Sequence, residues 1–162
     1  MTEKRANGIG HAEDLMLSAK LHECDVVGLQ EIRRDGRVSF STPAAGYTIY
    51  CSEHNPADEG KSEQLGVGLA MRESIVRPAG PGGIEVECIS TRLMEVRIAL
   101  TSNCVVTCVV GYTPVETAAT QDKDQFWATL HVTAAQVSAK ESFVVMMYAN
   151  PRTGKREVTC AL

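Results

Sequence analysis

The chain has 162 residues, 44% apolar and 22% charged, which suits one ordinary soluble domain with its own core. Aromatics are scarce at 5%, so that core rests on Val, Leu, Ile, Met and Ala. A net charge of −4 removes the bulk basic footprint of a nucleic-acid binder and leaves only local patches for phosphate.

In chain order, Ala12, Leu15, Met16 and Ala19 recur at helical spacing, predicting an amphipathic helix over 11–22. "CDVVGLQE" reads as a mostly buried strand ending in a polar pair. "STPAAG" is turn-like, "YTIYC" (47–51) is a second strand, and 52–64 form a polar surface loop. "LGVGLAM" (65–71) is a strand whose glycines suit close backbone packing. After the turn "PAGPGG" (78–83), "RLMEVRIAL" (92–100) alternates, with Met94, Val96, Ile98 and Leu100 facing the core. "CVVTCVVGY" (104–112) follows the short turn "TSN", so these two strands form a hairpin. A helix over 121–139 carries Phe126, Trp127, Leu130, Ala134 and Val137 on one stripe behind an acidic first turn. The apolar run Phe143–Met147 in "SFVVMMYANPRTG" predicts a last strand covered on both faces.

This order implies an α/β or α+β layered domain, a mixed sheet with helices packed on it, in a single unit over 1–162. No run approaches the roughly 20 apolar residues of a membrane span. The start, "MTEKRANGIGHAED", lacks the apolar stretch of a secretory signal, so an intracellular protein without a membrane partner is expected. Cys24, Cys51, Cys88, Cys104, Cys108 and Cys160 include no CxxC pair and read as reduced, buried core thiols.

Several local signals concern chemistry. Glu31 closes a buried strand, where a carboxylate can hold a hard divalent ion or be an ordinary solvated charge. Arg33, Arg34 and Arg37 follow and could meet phosphate oxygens. Tyr112 ends another strand, where its phenol could donate to a phosphate or sit at the rim of the core. "DEGKSE" (58–63) lacks the first glycine and leading strand of a phosphate loop, and "GVG" (66–68) lacks the third glycine of a dinucleotide fingerprint. The histidines at 11, 22, 54 and 131 show no ligand spacing. The last strand runs out on Tyr148, Ala149 and Asn150, with no acid where a metal enzyme would carry one.

Taken in order, "DVVGLQEIRR", "LGVGLAM", "STRLMEVRIAL", "VVGYTPVE", "KDQFWATL" and "FVVMMYANPRTG" resemble the endonuclease/exonuclease/phosphatase superfamily. The chain looks closest to the endonuclease domains of LINE-type retrotransposons and the craniofacial-development-protein-like genes derived from them. The resemblance runs from about residue 10 to residue 154. It implies a two-sheet β-sandwich flanked by helices, and a magnesium-dependent phosphoric ester hydrolase acting on DNA. Carried over, Glu31 resembles the metal-binding Glu of the family's "LQE" motif. Tyr112 resembles the Tyr of its "YxP" motif, and Asn150 the Asn of "GDxN". Arg33 and Arg34 stand as substrate-phosphate contacts.

The departures carry their own expectations. Where the family reads "GDFNARTG", this chain reads "MYANPRTG", so Tyr148 stands in the place of the Asp and Met147 in that of the Gly. A phenol, ordinarily titrating near pH ~10, is a poor base at neutral pH. The family opens with a strand carrying a metal-site Asn and closes with an Asp-His pair, and neither has a counterpart here. The expectation is therefore a domain incomplete at both ends, derived from a retroelement and catalytically impaired. A non-catalytic binding module, a fold remnant open to self-association at its sheet edges, and an inositol or lipid phosphate hydrolase stand as alternatives.

Overall fold

The computed structural model describes residues 9–32, 39–52, 66–79 and 83–148. Two four-stranded sheets pack face to face between helices. The first holds β1 (Val26–Gln30), β2 (Ser39–Thr42), β3 (Tyr47–Cys51) and β4 (Val67–Arg72), in the order β1-β4-β3-β2 with every pair antiparallel. The second holds β5 (Ile84–Ser90), β6 (Leu93–Thr101), β7 (Cys104–Tyr112) and β8 (Ser142–Tyr148), in chain order. There β5, β6 and β7 are antiparallel, while β8 runs parallel to β7. Helix α1 spans Ile9–Leu21, α2 Glu73–Ala79 and α3 Thr120–Gln136.

Alternation builds the main core. Val67, Leu69 and Met71 of β4 meet Met94, Val96 and Ile98 of β6, and Cys108, Val110 and Tyr112 of β7, all within 5% exposure. Side chains two apart share one strand face, so each strand delivers three to the gap between the sheets. Ile75, Val76 and Ala79 of α2 pack against this core. The outer face of the first sheet is covered through Met16 of α1, fully buried against Tyr47, Ile49, Cys51 and Ala70. The outer face of the second is covered through Phe126 of α3, set against Leu93 and Val109. Helix α3 is also the crossover that a parallel β7–β8 pair requires, since a tight turn joins only antiparallel strands.

Expectation and structure agree on α1, β1, β3, β4, the β6–β7 hairpin, α3 and β8, and on the inward set of β6. They differ elsewhere. Three elements were not anticipated. β2 forms over the start of the turn-like segment, α2 takes Pro78 and Ala79 into a helix, and β5 fills a stretch assigned no structure. The strands form two separate sheets, as the family resemblance implies, rather than the one mixed sheet that element order suggests.

The run Phe143–Met147 is not covered on both faces. Phe143, Val144 and Val145 are 40–42% exposed, because β8 is the outermost described strand of its sheet and α3 reaches only Met147 there. Trp127 is 49% exposed at the margin of the α3 stripe, edge-on to Phe126, and Thr133 is buried in its stead. Leu15 is also half exposed, turned away from the α1 contact made by Met16. Cys51 and Cys108 are buried as expected, but Cys24 and Cys88 are only partly so and Cys104 is exposed; Cys160 lies outside the described residues.

Candidate active site

The topology brings several chain ends to one mouth of the sandwich. β1, β7 and β8 finish there, while β4 and β6 begin there, being antiparallel to β1 and β7. Glu31 follows β1 directly and has a left-handed backbone, φ 58°. That conformation is uncommon for a residue with a Cβ and is kept only where surrounding contacts hold it. One contact lies next door: the Ile32 N–H donates to the Gly66 carbonyl at 3.1 Å. Gly66 has φ 143°, and a Cβ there would lie 2.2 Å from the Ile32 carbonyl oxygen, so only glycine permits this approach.

The phenol of Tyr112 donates to Glu31 Oε1 at 2.9 Å. This bond links residues 81 positions apart, one just past β1 of the first sheet and one ending β7 of the second. Tyr112 is itself 5% exposed, with its ring in the main core and its hydroxyl at the rim, while Glu31 is exposed. Tyr148 is the register partner of Tyr112, and their rings stack with centroids 6.1 Å apart at 22°. The backbone of Tyr148 is held too, its carbonyl accepting from both the N–H and the hydroxyl of Thr113 at 3.2 Å.

Arg92, in the turn between β5 and β6, places its guanidinium carbon 5.4 Å from the Tyr112 ring centroid, a cation–π arrangement. It also donates to the Thr113 carbonyl at 3.5 Å, and its own carbonyl accepts from the Tyr112 N–H. Burial lowers its pKa, partly offset by Tyr112 and Asp122, and a guanidinium remains charged regardless.

Of the residues singled out from sequence, the structure brings Glu31, Tyr112 and Tyr148 together. Arg33, Arg34, Arg37 and Asn150 lie outside the described residues. Arg92 was missed, along with Thr113. A lone Arg in a turn carries no local signal, and its place over Tyr112 arises only from β6–β7 pairing.

The donor set tests the implied magnesium. Mg²⁺ needs near-octahedral oxygen ligation, commonly from one or two carboxylates with water and substrate phosphate. The described donors here are one carboxylate, already accepting from a phenol, and two phenols that are neutral when protonated. Among the described residues no three acidic, His or Cys side chains converge. The described donors alone do not fit a dedicated magnesium site. What the arrangement can do is hold a fixed acceptor, a cation and two flat rings at the end of a rigid sandwich. Among the described residues no helix is long and apolar enough to cross a membrane.

The sequence matches no protein-family model and no curated protein. The structure is similar to the endonuclease domain of TRAS1, a telomere-specific non-LTR retrotransposon, with a TM-score of 0.53 and 13% identity. The similarity covers 89% of this chain and 54% of that one, so the chain spans about half the length of its structural neighbour. At that identity the likeness speaks for the fold alone. Among the described residues the fold is mixed α/β, two four-stranded sheets flanked by helices, as in that endonuclease domain.

Proposed function

We propose that this protein is a retroelement-endonuclease-type module that meets DNA at the mouth formed by β1, β7 and β8, and is impaired in catalysis. The observation that carries the reading is the 2.9 Å bond from Tyr112 to Glu31. It joins, across two sheets, two residues that the sequence resemblance assigns to one phosphate-ester site. Tyr148 occupies the strand end where the resemblance expects an acid, and its ring rests on Tyr112.

A positioned general base supplies about 10²–10⁴ in rate, and each ~1.36 kcal/mol of lost barrier reduction is about tenfold. A phenol in place of a carboxylate at that strand end forfeits this factor. The module therefore retains a recognition surface more readily than turnover.

The test is the nicking of supercoiled plasmid by the purified chain with Mg²⁺, beside Glu31→Ala. The expected result is no nicking by wild type above the variant. Glu31-dependent nicking would overturn the reading of impaired catalysis.

A further inference from the structure

Arg92, Tyr112 and Tyr148 form a ladder of flat groups across three neighbouring chain segments. The guanidinium of Arg92 lies 5.4 Å from the Tyr112 centroid, and the Tyr148 ring follows at 6.1 Å and 22°. Exposure rises from 5% at Tyr112 to 55% at Tyr148. β8 is the outermost described strand of its sheet, so no described strand continues the ladder beyond Tyr148. Its backbone is fixed in advance by the two bonds from Thr113 to its carbonyl. A pre-ordered ring with a buried ring beneath it and an exposed outer side can take one more flat ring at low entropic cost.

Charge decides which part of a nucleic acid that would be. The exposed carboxylate beside the ladder belongs to Glu31, which repels phosphate oxygens and accepts from amino groups. Among the described residues the cation of the group is Arg92, half-buried against Tyr112 on the β6 side and so away from the ring on β8. The whole chain is also negative at −4. The described side chains of this surface suit a base face better than a phosphate.

We propose that Tyr148 is a stacking platform for an unpaired base of single-stranded nucleic acid. This rests on the DNA-facing reading above and names the element that is held. The residue that removes the acid thereby supplies an aromatic surface, and selectivity among bases is low because every base has a π-face.

The test uses a mixed-sequence single strand carrying one 2-aminopurine, whose fluorescence falls on stacking, titrated with the full chain. Wild type is expected to bind and quench, and Tyr148→Phe to match it. Tyr148→Ala and Tyr148→Leu are expected to lose about tenfold in affinity together with the quenching. The leucine variant keeps apolar bulk without a flat ring, which separates stacking from folding. The same strand annealed to its complement is expected to bind without quenching. Undiminished single-strand binding and quenching by both Tyr148→Ala and Tyr148→Leu would overturn the platform but leave the DNA-facing module intact. A wild-type chain with no affinity for either form would end both.

Discussion

Gly28 of β1 and Met146 of β8 set the distance between the two sheets at the side where both strands lie outermost. A Cβ added to Gly28 would stand 2.9 Å from the Met146 Cβ, closer than packed carbons tolerate. The atom it meets is attached directly to the backbone of β8, so the strain passes to the strand. Gly28→Ala is expected to destabilise the fold by about 1–3 kcal/mol, the usual cost of overpacking. Urea denaturation reads this, and an unchanged midpoint would mean that the sheets part here without cost.

The bond between Tyr112 and Glu31 is expected to be worth about 1 kcal/mol, since one partner is charged but exposed. Tyr112→Phe and Glu31→Gln each remove part of it. A double-mutant cycle by chemical denaturation should show the two effects to be less than additive. Strict additivity would mean that the two residues do not interact in solution.

Two carboxylates on the α3 side of the second sheet give stability opposite dependences on pH. Hydrogen bonds from Arg97 and then Thr107 lower the pKa of Glu141. Its stabilisation is present above the unfolded carboxylate value and is lost as pH falls through the lower folded value. Burial, then Glu87 and Glu141, raise the pKa of Glu95. Its ionisation therefore opposes folding, and stability falls as pH rises from the unfolded value through the folded one. Glu95→Gln should raise the neutral-pH melting temperature, and Glu141→Gln should lower it while leaving stability unchanged in strong acid. Matching shifts of the same sign in both variants would contradict this assignment.

Thiol reactivity should divide along β7. Burial pushes the Cys108 thiol up to about 11, whereas Cys104, four residues earlier, is exposed. With iodoacetamide at pH ~8, Cys104 is expected to alkylate quickly and Cys108 only on unfolding, because the thiolate is the nucleophile. Peptide mass spectrometry against denaturant would check it. Equal labelling of both in the native chain would mean that the sandwich opens at its centre.

Periodicity made the interior legible where one element supplies both the signal and the packing. Met94, Val96 and Ile98 alternate in sequence and point inward in the fold, and the three-residue turn correctly joined β6 to β7. It failed where coverage depends on distant segments. Phe143–Met147 is apolar on both sides, yet nothing local says that α3 covers only one end of it. β5 was overlooked because Glu85 and Glu87 interrupt it, although their alternation with Val86 and Cys88 is that of a half-covered strand. Order along the chain points to Glu31 and Tyr112, which the fold brings into contact, whereas the place of Arg92 beside them follows only from the strand register.

The parallel union of β7 and β8 has a kinetic side. The β6–β7 hairpin can zip from its own turn, but Thr113 and Tyr148 meet only after a closure spanning 35 residues. Helix α3 has to form and dock within that closure before its contacts can offset the lost chain entropy. β8 is thus expected to be the last strand to join the second sheet. Until it does, the apolar side chains of β8 stand open to any neighbouring nascent chain.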